Sequence, residues 1–205
     1  MASTLITKLK PTLPYLIPVL IVSPSLIWIA LDRSVWMWDQ AVYGKAAVEL
    51  FSTFRYSSNH WLPRMLNVLN VQAPGVSWLG QIFVPVGYLL GSIDVGLLLS
   101  ILITQVLTLV LMYHTIRELS PQNELVPLMG CLAMGSTSLF VALSHQYLAE
   151  PLQLLAVTWF VLIMSFAPKW SRAVTLSQLL AAIPVAMLAK ASSPLYCVGP
   201  GLVAL

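Results

Sequence analysis

Asp39 lies in the stretch Trp36-Met37-Trp38-Asp39-Gln40-Ala41-Val42-Tyr43, directly after an uncharged run long enough to cross a bilayer. A second acid, Glu150, stands alone between two further apolar runs, and Lys190 closes a later one. Carboxylates at the ends of membrane helices are expensive to desolvate, so they mark sites of proton, ion or group-transfer chemistry. Tyr43 follows Asp39 by four residues and shares its face if that stretch is helical.

The elements that must position these residues are set by composition. The chain has 205 residues, 59% hydrophobic and 8% charged, with a mean hydropathy of +0.87. No soluble domain of this length holds such a balance. A net charge of +3 spread along the chain offers no patch for nucleic acid. Cys131 and Cys197 sit inside apolar runs and read as small buried thiols. No His/Cys spacing supports a zinc site.

Charge-free runs of about 18 or more residues are candidate spans, because a helix there satisfies its own backbone in lipid. These are 11–31, 95–116, 125–143, 151–167 and 173–189, with a sixth opening near Ser193. The flank Lys8-Leu9-Lys10 is like a signal-peptide n-region, yet the run after it is too long and lacks an Ala-x-Ala site, so it reads as an uncleaved anchor. The expected fold is all-α, a polytopic bundle of about six spans forming a single domain over 1–205.

Segment 65–93 lacks charge but carries Asn67, Asn70, Gln72, Pro74 and Pro85. If it lies along the interface, Lys8, Lys10, Arg117, Lys169 and Arg172 all fall on one side. The positive-inside rule favours that arrangement, with a cytoplasmic N-terminus. Residues 32–94 then form an exoplasmic loop with interfacial helices, one of them around Ala46-Ala47-Val48-Glu49-Leu50-Phe51. Asp39, Glu150 and Lys190 end on the same membrane face, where they can share one cavity.

The order of motifs carries a family resemblance. Trp38-Asp39-Gln40-Ala41-Val42-Tyr43 is followed by Trp61-Leu62-Pro63, then Gln72-Ala73-Pro74-Gly75-Val76-Ser77-Trp78. Later come Ser144-His145-Gln146-Tyr147-Leu148-Ala149-Glu150-Pro151-Leu152 and Ala189-Lys190-Ala191. This resembles the N-terminal half of a GT-C glycosyltransferase of the protein O-mannosyltransferase and aminoarabinose (lipid A) transferase superfamily. Asp39, Tyr43, Pro74 and Trp78 fit the family pattern. Gln40 stands where the family usually has Glu, Gln72-Ala73 where Lys-Pro is common, and Glu150 in place of Asp; the change at 72 removes a cation able to hold a phosphate.

The resemblance implies transfer of a sugar from a polyprenyl-phosphate carrier to an acceptor hydroxyl of a lipid, glycan or protein. Asp39 is the candidate base, and one carboxylate acting opposite the phosphate would invert the anomeric centre. Glu150 would orient the acceptor or join Asp39 around a divalent cation. Tyr43 would position the carboxylate, and Lys190, Arg55 and Arg64 are the candidate phosphate partners. Family members are longer, and this chain stops within its sixth apolar run, so we expect the N-terminal portion of a longer transferase. Compact loops and the lack of an extended N-terminal tail lean towards a bacterial plasma membrane.

Plainer readings stand beside each role. Asp39 could be a solvated loop acid near Arg33 or Lys45, and Glu150 before Pro151 could serve the helix dipole alone. Lys190 could snorkel to the interface, and Arg55 and Arg64 could contact lipid headgroups. His60, His114 and His145 have no visible partners in the sequence and stay outside the catalytic set. The rival classes are a non-catalytic lipid carrier or small transporter and an inactive truncated transferase. A transporter should have repeated halves meeting at mid-membrane; no convincing repeat is visible, and no charge lies within a confident span.

Overall fold

A computed structural model describes residues 12–32, 36–69 and 72–203, with side chains to residue 198. Lys8, Lys10 and Arg33 lie outside the described residues. The described chain forms helices and no strand: α1 (Leu13–Leu31), α2 (Trp38–Tyr56), α3 (Ser58–Asn67), α4 (Gly75–Leu89), α5 (Ile93–Leu119), α6 (Leu125–Gly135), α7 (Ser138–Leu143), α8 (Glu150–Phe166), α9 (Arg172–Ala189) and α10 (Ser193–Val203).

Helix α5 is the axis of the bundle. Its 27 residues extend about 40 Å, and α1, α4, α6 and α8 pack around it. Of its most apolar stretch 56% is buried, against 28% in α1 and 17% in α9. These three helices are long and apolar enough to cross a membrane. The outer faces of α1 and α9 present Leu20, Ile27, Leu176 and Leu180, large apolar patches compatible with an integral membrane protein.

The α4–α5 hairpin is held by small residues. A Cβ at Gly96 would lie 2.5 Å from the Gly87 nitrogen, so the two backbones touch. Gly91 makes the turn at φ 74°, a left-handed conformation that costs glycine nothing.

Two sequence expectations change here. The run 125–143 is not one helix but α6 and α7, broken at Ser136 and Thr137. Thr137 is extended, and its hydroxyl accepts from Phe140 N at 3.3 Å, capping α7; such local side-chain bonds compete with a continuous helix. The short helix expected around Ala46 is the middle of the 19-residue α2. Its Ala46, Ala47 and Leu50 are buried, and α2 packs on α4. The extension places Asp39 in the first turn of a helix rather than in a loop.

The segment 65–93 likewise contains one continuous helix, α4, that packs on α2, α5 and α9. Of the remaining apolar helices, α8 has 17 residues, α4 has 15 and α6 has 11.

Candidate functional site

Asp39 is exposed at the start of α2, where an acid meets the positive end of the helix dipole. The Gln72 amide donates to Asp39 Oδ1 at 3.1 Å. The other end of that amide, Gln72 Oε1, is buried and has no partner. Trp38, beside Asp39, enters the helix at φ 23°, the one non-glycine residue with positive φ among those described. Backbone strain of this kind costs about 1–3 kcal/mol and clusters at functional sites.

Tyr43 lies one turn after Asp39 and is 7% exposed. Its carbonyl accepts from Ser77 Oγ at 3.0 Å, which ties α2 to the first turn of α4. Burial pushes the phenol above its ordinary range, the Asp39 charge pushes it further, and Glu150 adds to the shift. Two acids distant in sequence therefore act on one phenol, which stays protonated and able to donate.

Glu150 opens α8 and Lys190 caps α9. Lys190 Nζ donates to Glu150 Oε1 at 2.6 Å, with both side chains about two-fifths exposed. Gln153 donates to Ser192 Oγ at 3.2 Å one turn further along α8. The first residue of α4 closes the same corner: a Cβ on Gly75 would sit 2.6 Å from the Leu188 carbonyl oxygen. Helices α4, α8 and α9 thus meet at the Glu150–Lys190 pair, and Asp39 at the start of α2 acts on the same Tyr43 as Glu150.

The approach to Glu150 is rigid. Tyr147 is fully buried and donates its hydroxyl to Val76 O at 2.7 Å, while Trp36 stacks on its ring at 5.4 Å. Burial holds that phenol far above its usual range. Gly80 lies directly beneath the hydroxyl, at 1.8 Å from where a Cβ would be. His145 packs against Trp28 at 5.0 Å; burial lowers its pKa, and the Asp32 charge partly offsets this.

A groove of about 600 Å³ runs from Glu150 between α8 and the α6–α7 break. Leu139, Phe140, Leu143, Leu154 and Val157 make its walls almost wholly apolar. A chain-like apolar ligand with a polar head would lie along it with the head beside Glu150 and Lys190.

Arg55 and Arg64 are not brought to this place. Arg55 is sixteen residues along α2 from Asp39, about 24 Å away, with its guanidinium 5.3 Å from the centre of the Tyr56 ring. Arg64 on α3 pairs with Glu49 on α2 and lines a separate cleft of about 650 Å³ with Thr53, Tyr56, His60 and Asn67. Of the three cations expected to face a phosphate, Lys190 alone joins the acids. Sequence reasoning treated Gln72 as a lost cation and missed that it holds Asp39; its place in the Gln72-to-Trp78 motif was the available signal.

Among the described residues no three His, Cys, Asp or Glu side chains converge. Searches of protein-family models, curated proteins and solved structures find no match to this chain.

Proposed function

We propose that this chain is part of an integral membrane glycosyltransferase that moves a sugar from a polyprenyl-phosphate donor to an acceptor hydroxyl on the exoplasmic face. The observation that carries the reading is the Glu150–Lys190 pair at the end of an apolar groove, with Asp39 and Glu150 both acting on Tyr43. The groove suits an isoprenoid, and the polar corner suits the sugar-phosphate linkage.

Asp39 takes the acceptor proton as the acceptor oxygen attacks the anomeric carbon. The bond from that carbon to the phosphate oxygen breaks, and the configuration inverts. Lys190 exchanges Glu150 for the leaving phosphate. Glu150, released from its pair, orients the acceptor, and the protonated Tyr43 positions Asp39 or the sugar. In this reading the chain lies in a bacterial plasma membrane with about six spans and a cytoplasmic N-terminus. The pair joining Lys169 to Glu118 supports the topology, because it sets the basic turn 167–171 beside the Arg117 end of α5.

The test is Asp39→Asn in native membranes supplied with a radiolabelled polyprenyl-phosphate mannose. Transfer falls by about 10²–10⁴-fold while the donor lipid still binds. Transfer at the wild-type rate would overturn Asp39 as the base. One observation favours a non-catalytic lipid carrier instead: both acids already have partners, Gln72 and Lys190. On that reading the groove binds the lipid and the wild-type protein transfers nothing.

A further inference from the structure

A second basic cavity lies at the opposite end of α8, and its construction differs from that of the Glu150 corner. It measures about 350 Å³ and is lined by His114, Arg117, Glu118, Pro121 and Phe166, within the range of about 300–1,000 Å³ of small-molecule clefts. Helix α8 runs sixteen residues from Glu150 to Phe166, so the two places are about 24 Å apart.

The carboxylate in the lining is already neutralised. Glu118, 16% exposed in its side chain, is paired with Lys169 from the turn after α8. Arg117 is exposed, and no carboxylate among the described residues pairs with it. His114 sits one turn before Arg117 on the same face of α5 and within reach of its charge. An anion in this cavity would meet the Arg117 charge and, beside it, an imidazole N–H able to donate.

The walls are held in place. His114 packs between Tyr15 and Tyr113, at 6.2 and 5.7 Å, and Phe166 is stacked on Trp170 at 5.4 Å. The site therefore presents a guanidinium fork and an imidazole above an apolar floor of Phe166 and Pro121. A guanidinium matches phosphate oxygens in bidentate geometry. An apolar floor beside it suits the glycerol and first methylenes of a lipid.

We infer that this cavity binds a phosphate group, presented either by an anionic phospholipid of the leaflet opposite the Asp39–Glu150 site or as free phosphate. Basic pockets between membrane helices take anionic headgroups in this way. The inference does not rest on the transferase reading, since it uses none of the residues of that site.

The experiment is native mass spectrometry of the full chain in detergent. The protein is titrated with dioleoyl phosphatidylglycerol, with dioleoyl phosphatidylcholine, and with inorganic phosphate. The wild type is expected to hold phosphatidylglycerol at least about fivefold more tightly than phosphatidylcholine, and Arg117→Gln to erase that preference. Phosphate binding that depends on Arg117, without a lipid preference, would assign the site to the free ion. Equal binding of both lipids with no phosphate binding overturns the inference, as does a preference that survives Arg117→Gln. Should Arg117→Gln fail to fold, the wild type decides: a preference unchanged in about 0.5 M sodium chloride is not electrostatic, and the site falls.

Discussion

Both ends of α8 carry a lysine–glutamate pair, and the two pairs are set in different company. At the Phe166 end Glu118 and Lys169 join the last turn of α5 to the turn after α8. At the Glu150 end the pair bridges α8 and α9 beside a second carboxylate, a buried phenol and the apolar groove. The contact itself is worth little where it is exposed. On the proposed reading, the Glu150–Lys190 pair serves the reaction because the groups around it can use the charge once the pair opens.

The sharpest way to break this comparison is to remove each lysine in turn. Lys190→Met should lower transfer about 10²-fold, the loss that follows removal of one donor to a developing oxyanion. Lys169→Met should lower it by at least tenfold less, measured in the same membranes with the same donor. Equal losses would mean that the two ends differ in appearance only.

A smaller effect tests the hairpin that orients the site end. Gly96→Ala places a Cβ 2.5 Å from backbone and should destabilise by about 1–3 kcal/mol, read as a lower thermal midpoint in detergent. Gly91→Ala meets nothing within 4 Å and should cost about 1 kcal/mol, from backbone conformation alone. A larger loss at Gly91 would refute close α4–α5 contact as the constraint.

The smallest effect concerns pH. Because burial lowers the His145 pKa from 6.5, the unfolded chain takes the proton first as pH falls. The stability that this half-buried imidazole contributes is complete above about 6.5 and is lost as pH drops towards the folded value. His145→Gln should flatten the thermal midpoint between pH 7 and about 5. A variant that still follows the wild-type curve would place the titration elsewhere.

Reading loop charge placed Asp39, Glu150 and Lys190 on one face, and the fold joins Glu150 to Lys190 and sets both acids around Tyr43. Arg55 and Arg64 looked equally suitable in sequence. Helix α2, however, runs unbroken for 19 residues, and its length carries Arg55 away from its own first turn. The break at Ser136 was hidden because hydropathy averages over a window and does not register a hydroxyl that caps. The Gln72–Asp39 bond was hidden because its partners are 33 residues apart.

By itself the sequence determined that this is a strongly apolar, helical chain with few charges; it predicted about six spans, and three of the described helices are long and apolar enough to cross a membrane. Apolar content over about 20 residues is a local property, and bilayer thickness supplies the length against which it is judged. The tertiary structure alone decided which cation meets the acids, where a helix stops, and that a groove ends at Glu150. Those outcomes depend on contacts between segments far apart along the chain, set by small residues such as Gly75, Gly80 and Gly96 that let backbones and rings approach.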